Sequence, residues 1–344
     1  MKALLYTKPC KLSIVDVPVP QMGETEVLIR VKACGICGSD VHGYTGKTGR
    51  RIPPLIMGHE ASGVIEKIGS AVKDKLKVGQ RITFDSSIFC NNCSFCCTGM
   101  INHCINRRVF GVSTDSYKLH GAFAEYVAPP WWVVYPIPDE LSFEYAAMLE
   151  PAAVGLHAIN RTPIRLEDTV VIIGSGTIGL FTIACAKLKN PRCIIAIDLD
   201  SARLKIASQM GANLVLNPKN DNIPRTIKEL TDSLGADTVL EAVGIPETIN
   251  QAIDIVRNNG QVALIGNVTP RIELSLQKIV TREINIRGTC ASAGEHRDCI
   301  TLFASGKINP APILSKILPL SEGPKVFKEL LEGKSGLLKV ILKP

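Results

Sequence analysis

The stretch Thr169-Val-Val-Ile-Ile runs without a break into Gly174-Ser-Gly176-Thr177-Ile178-Gly179 and then into an apolar segment, Leu180 to Lys187. A short run that is apolar throughout reads as a strand buried on both faces of a parallel sheet. Glycines at the first, third and sixth positions of the following turn permit a tight bend, a close backbone approach to a pyrophosphate, and close packing of helix on strand. A second apolar strand, Cys193 to Asp198, ends in a carboxylate twenty-four residues after Gly174. That is the spacing of an acid that binds the ribose hydroxyls of a dinucleotide. Few folds other than a doubly wound α/β sheet accommodate this combination. A carboxylate at 198 repels a 2′-phosphate, so NAD is expected before NADP, although Arg203 could cover the adenine or attract a phosphate. Further strands at 236–244, 261–266 and 284–289 place the ligand by Gly174, Val243 and Gly266, with Thr289 closing the last strand. Between the first two, Ile249, Ala252, Ile253 and Val256 form a helical stripe.

Ahead of this region the grammar differs. Val27, Ile29, Val31 and Ala33 alternate with charged neighbours, as in a half-buried antiparallel strand. Ala61 to Gly69 and Gly121 to Val127 are further strand candidates. Prolines and glycines punctuate the rest, and Asp139 to Glu150 reads as a helical run. At about 150 residues per domain, 344 residues suggest two domains. The expected division is 151–290 for the dinucleotide domain, with 1–150 and 291–344 forming a discontinuous β-rich one.

Two clusters in the first part carry metal chemistry. Cys37-Gly-Ser39-Asp-Val-His42 and Gly58-His59-Glu60 gather a thiol, an imidazole and a carboxylate, with Glu150 before a proline at the domain passage. Taken singly, Cys37 reads as a core thiol, His59 as a satisfied loop histidine and Glu150 as a helix-end charge. Together they can hold one Zn²⁺, with Asp40 as the outer acceptor that orients His59. Such an ion, left with one open position, lowers the pKa of a bound hydroxyl to ~7. Ser39 and His42 could carry the released proton to water. Cys34 lies one strand step earlier and reads as core. The second cluster is Cys90, Cys93, Cys96 and Cys104, whose spacing suits a closed structural zinc site. Its competing readings are an iron–sulfur cluster or disulfides, and Cys97 is a substitute ligand of poorer spacing. The paired Trp131 and Trp132 read as a core edge.

Composition excludes some classes. The net charge of +7 is dispersed, with no Lys/Arg run longer than two, so nucleic-acid binding is not expected. No apolar run approaches the ~18 residues of a membrane span. The first eight residues contain only three consecutive apolar side chains, so a cytoplasmic protein without a leader is expected. Twelve cysteines in that compartment are more readily metal ligands than disulfides.

Over nearly its whole length the chain resembles the zinc-dependent medium-chain dehydrogenase/reductase family, in its polyol (sorbitol-type) branch. The resemblance rests on Cys37-Gly-Ser-Asp, Gly58-His-Glu60, Glu150-Pro, the four-cysteine lobe and the glycine-rich loop. It implies a GroES-like β-rich catalytic domain interrupted by a Rossmann domain, with two zinc ions per subunit. The catalytic ion would be held by Cys37, His59 and either Glu60 or Glu150, the remaining carboxylate meeting water or substrate. Ser39 and His42 match the family's proton-relay positions. Glu150, where simple alcohol dehydrogenases carry Cys, points to polyols. The chain departs from sorbitol dehydrogenase after Gly288, where Thr289-Cys-Ala-Ser replaces an Arg-Tyr pair, and at Tyr44, displaced by Gly43. Another polyol, a cyclitol or a sugar-alcohol phosphate of the galactitol-1-phosphate type is therefore the implied substrate, in a homodimer or homotetramer. The competing classes are a non-catalytic NAD-binding sensor, a zinc-free quinone or enoyl reductase, and a nucleic-acid zinc finger.

Overall fold

A computed structural model of the chain describes residues 1–333 and 336–344. The chain divides into two compact units, Met1–Glu150 with His296–Pro344, and Pro151–Glu295. Residues 291–295, expected with the first part, cluster with the second unit. Buried Glu295 accounts for this: its Oε1 lies 2.8 Å from His157 Nδ1 and its Oε2 accepts the Ala293 N–H at 2.5 Å.

The first unit is built on a seven-stranded sheet. Its order is Val134–Pro136, Arg81–Phe84, Glu60–Ile68, Val27–Gly35, Lys339–Lys343 and Leu314–Pro319, with Tyr126–Val127 also pairing with Val27–Gly35, off this path. The pairs are antiparallel except Leu314–Pro319 with Lys339–Lys343. The alternation noted at 27–33 holds only in part: Val27, Ile29, Val31 and Ala33 are buried and Arg30 is exposed, but Leu28 on the other face is buried too and Lys32 is half-buried. Fully burying an aliphatic or aromatic side chain is worth ~1.5–3 kcal/mol. Leu4, Ile29, Leu55, Phe123 and Phe327 all contribute to this core.

Two segments differ from expectation. The run 139–150 is helical only at Phe143–Ala146 before a new helix begins at Leu149. Ser142 caps the short helix by accepting the Tyr145 N–H, and such a cap fixes a helix start there rather than at Asp139. Of 121–127, only Tyr126–Val127 forms a strand. Phe123 turns aside, its N–H donating to Met57 and its carbonyl accepting from Leu4.

The second unit contains a six-stranded, all-parallel sheet. The order is Leu214–Leu216, Cys193–Ile197, Thr169–Ile173, Ala236–Glu241, Val256–Leu264, Asn285–Gly288. Counted along the chain this is 3-2-1-4-5-6, the doubly wound order whose ligand crevice opens beside the first strand. Thr169–Ile173 is buried at every residue. The helix Pro246–Ile255 buries Ile249, Ala252 and Ile253, whereas Val256 already belongs to the next strand.

Candidate metal centre and dinucleotide loop

Three neighbouring strands bring the first cluster together. Gly35 pairs with Glu60 on one side and with Ile341 on the other. The chain leaves Gly35 through Ile36 to Cys37, which caps the helix Gly38–Tyr44. Gly58, at φ +90°, turns the backbone just before His59. A side chain at 58 would meet the Phe123 ring at 2.8 Å and the Cys34 thiol at 2.9 Å. Cys34 itself is fully buried, and burial drives its thiol well above the ordinary value, so it belongs to the core.

Cys37, His59 and Glu60 each present one donor atom within 4.8 Å of the others. Buried Asp40 stands behind them, its Oδ1 3.4 Å from His59 Nδ1 and 3.1 Å from Arg51 Nη2. Burial pushes the Asp40 carboxyl up, but His59 and Arg51 outweigh it and hold the group at about 2. Burial would likewise lower His59, yet Asp40 and Cys37 keep the imidazole well above its ordinary value. The pocket therefore favours positive charge. Glu60 Oε2 lies 2.5 Å from Lys339 Nζ, which also donates to the Ile36 carbonyl at 2.9 Å. Glu60 Oε1 is buried without a hydrogen-bond partner among the described residues. A soft thiolate, an imidazole and an orphaned carboxylate oxygen make a donor set that suits Zn²⁺.

Glu150 lies outside the converging three. It accepts from Ser86 Oγ at 3.0 Å, and burial lifts its carboxyl to about 7, with Glu60 and Asp85 adding to the rise against His59. Ser39 is exposed, donates to Cys37 Sγ at 3.3 Å and accepts from Arg51 Nη2 at 3.4 Å. His42 is exposed in the last turn of its helix, and no hydrogen bond joins it to Ser39 among the described residues.

The four-cysteine cluster closes on itself. Sγ atoms of Cys90 and Cys104, and of Cys93 and Cys96, are 3.5 Å apart, and Cys90 and Cys96 are 3.9 Å apart. The Asn92 N–H is the main influence bringing Cys90 down to about 6, whereas burial drives Cys96 up to about 12. Phe89, Val133 and Trp132 back the cluster, and Trp132 Nε1 donates to the Phe89 carbonyl. Cys97 is exposed and outside the set.

In the second unit, the first and third glycines of the loop have a steric reason. Gly174 sits at φ +94°, and a Cβ there would meet Val243 Cγ2 at 2.6 Å. Gly176 faces open space and caps the helix Thr177–Lys187, with Thr177 and Ile178 in its first turn. A Cβ at Gly179 would collide with the Gly174 carbonyl. Asp198 Oδ2 accepts the Ser175 N–H at 2.6 Å and Oδ1 the Asp200 N–H at 2.9 Å. Arg203 lies 3.7 Å from Asp200. Thr289 donates its N–H to the Leu264 carbonyl at 3.0 Å. Backbone N–H groups at a helix start and an acid at the next strand end form a cradle for a dinucleotide.

Comparison with known proteins agrees. Residues 23–139 match the alcohol dehydrogenase GroES-like domain, and residues 177–305 match the zinc-binding dehydrogenase family. Sorbitol dehydrogenase of Bacillus subtilis is 34% identical, the match covering 100% of this chain and 97% of that protein. The chain belongs to the zinc-dependent medium-chain dehydrogenases, in their polyol branch. D-arabitol-phosphate dehydrogenase of Enterococcus avium is 32% identical, with 96% of this chain and 94% of that protein covered. A zinc-binding dehydrogenase structure from Sinorhizobium meliloti 1021, bound to NADP, superposes with a TM-score of 0.92 at 31% identity, covering 100% and 99%.

Three residues around this dehydrogenase's candidate metal centre escape a reading of motifs: Arg51, Ser86 and Lys339. Arg51 and Ser86 carry no local signal. Lys339 does, since it is the one charge inside the apolar run Leu337 to Leu342, and a lysine is almost never fully buried unless paired.

Proposed function

We propose that the chain oxidises a secondary hydroxyl of a polyol with NAD⁺, using a catalytic zinc at Cys37, His59 and Glu60 or Glu150 and a structural zinc at Cys90, Cys93, Cys96 and Cys104. The observation that carries this reading is the convergence of a thiol, an imidazole and an unpartnered carboxylate oxygen beside a second carboxyl at about 7. When bound, zinc supplies Lewis acidity to an alcohol, and NAD⁺ supplies a hydride acceptor. Asp40 holds His59 in one orientation, and Arg51 holds Asp40. Ser39, at the solvent edge between Cys37 and Arg51, takes the departing proton while handing its own to solvent, and exposed His42 serves as a second acceptor through that water. Asp198 favours NAD over NADP because its carboxylate opposes a 2′-phosphate.

A second reading keeps the site and changes the substrate to a sugar-alcohol phosphate or a cyclitol. The D-arabitol-phosphate relative and the Thr289-Cys-Ala-Ser sequence favour it. The exposed apolar side chains Val268, Leu274, Leu276 and Val280, close in sequence to the edge strand Asn285–Gly288, support a homodimer or homotetramer. Twelve free cysteines support a reducing, cytoplasmic setting. No helix among the described residues is long and apolar enough to cross a membrane.

The test is NADH and NADPH formation by the purified chain across free polyols, cyclitols and sugar-alcohol phosphates, with metal analysis alongside. Turnover on one class with zinc present supports the reading. Cofactor binding without turnover on any of them would leave a dinucleotide sensor.

A further inference from the structure

We propose that Glu241 is a positioning residue that shapes the far half of the dinucleotide site, beyond the pyrophosphate loop. This rests on the cofactor reading above and assigns a role to a residue that none of the motifs contains.

Glu241 ends the strand Ala236–Glu241, paired with Ile173 just before the glycine-rich loop, and is fully buried. A single oxygen, Oε1, accepts three hydrogen bonds at 2.8 Å each, from the Val243 N–H, the Gly244 N–H and the Thr248 hydroxyl. Its backbone carbonyl accepts the Ile265 N–H at 2.8 Å and the Gly266 N–H at 3.0 Å. One residue thus organises the loops leaving two adjacent strands. Those loops also touch directly. Gly244 is at φ +86°, a Cβ on Gly244 would run into the Gly266–Asn267 backbone, and a Cβ on Gly266 would run into Val243 and Gly244. Val243 in turn packs where a side chain on Gly174 would be.

Strand order says which half of the ligand these loops serve. The adenosine end belongs to Asp198, at the end of Cys193–Ile197 on one side of the first strand. A dinucleotide crosses the reversal point of a doubly wound sheet, so its nicotinamide end lies over the strands on the other side. Those strands are Ala236–Glu241 and Val256–Leu264. A carboxylate gathering several donors makes stronger bonds than a neutral acceptor would. It fixes the loop shape before the ligand arrives, which lowers the ordering cost of binding.

A brace for the fold alone would weaken every ligand of this unit together, whereas a positioning role discriminates between halves. The experiment measures NADH and ADP-ribose affinities of the full chain by fluorescence and calorimetry, for wild type, Glu241→Ala, Glu241→Gln and Thr248→Val. Glu241→Ala should bind NADH about tenfold or more weakly, the order expected for lost hydrogen bonds to a charged group, with ADP-ribose unchanged. Glu241→Gln, which keeps an accepting oxygen, should restore most of the NADH affinity, and Thr248→Val should show a smaller loss of the same kind. If Glu241→Ala fails to fold, the Thr248→Val comparison of the two ligands decides. Equal loss of both ligands, or unchanged NADH binding in a folded variant, overturns the inference. Wild-type chain that binds neither ligand overturns the dinucleotide reading and this inference with it.

Discussion

The two metal-type clusters of the first unit are built on opposite plans. Cys90, Cys93, Cys96 and Cys104 come from one short loop, supply four identical donors, and are backed by the apolar side chains of Phe89, Val133 and Trp132. Cys37 follows one strand end, His59 and Glu60 stand at the start of another, and together they supply three kinds of donor. Two buried cations stand behind them, Arg51 on Asp40 and Lys339 on Glu60. Four thiols complete a tetrahedron and leave no place for a substrate. Three converging donors, with the second carboxyl of Glu150 lifted to about 7, can leave one. Closure can thus be achieved by local sequence, but an open site depends on distant parts of the chain to hold its ligands still.

The strongest way to break this contrast is Cys37→Ser. It should abolish turnover and remove one zinc per chain while the other remains, as read by metal analysis with a thiol-specific chelator competition. Next in size is Cys93→Ser, which should release the loop zinc and lower Tm, because in a closed site the binding free energy is folding free energy. The inner zinc should stay, which differential metal release would reveal. Lys339→Met leaves Glu60 buried without its partner and should cost about 3–5 kcal/mol in denaturant unfolding. Removing both partners in Lys339→Met/Glu60→Gln should recover much of that stability. Asp40→Asn should weaken the inner zinc ~10–100-fold without touching the loop site, the usual size of an outer-partner effect. Smallest is Cys97→Ser, expected to change neither zinc content nor Tm. A loss of loop zinc there would redraw the four-cysteine set.

The same contrast explains what could be read from the chain. The loop cysteines and the glycine-rich turn are legible because each is a spacing within one segment, and each spacing has a steric or coordination reason. Cys37, His59 and Glu60 are legible as two short motifs, although nothing local says that strand pairing brings them together. Lys339 pairs with Glu60 from 279 residues away, and no periodicity encodes that. The over-long helix drawn over 139–150 failed for a different reason: apolar spacing there suits a helix, but the Ser142 cap starts it late. The strand drawn over 121–127 failed because Phe123 gives its backbone bonds to Met57 and Leu4 instead of to a continuous ladder.

Gly35 sits in ordinary extended backbone between Glu60 and Ile341 and binds nothing itself. A Cβ there would strike Glu60 Oε2, the oxygen pinned to Lys339. Position 35 is therefore a keyhole: even alanine would fill the space through which an acid on one strand reaches a base two strands over.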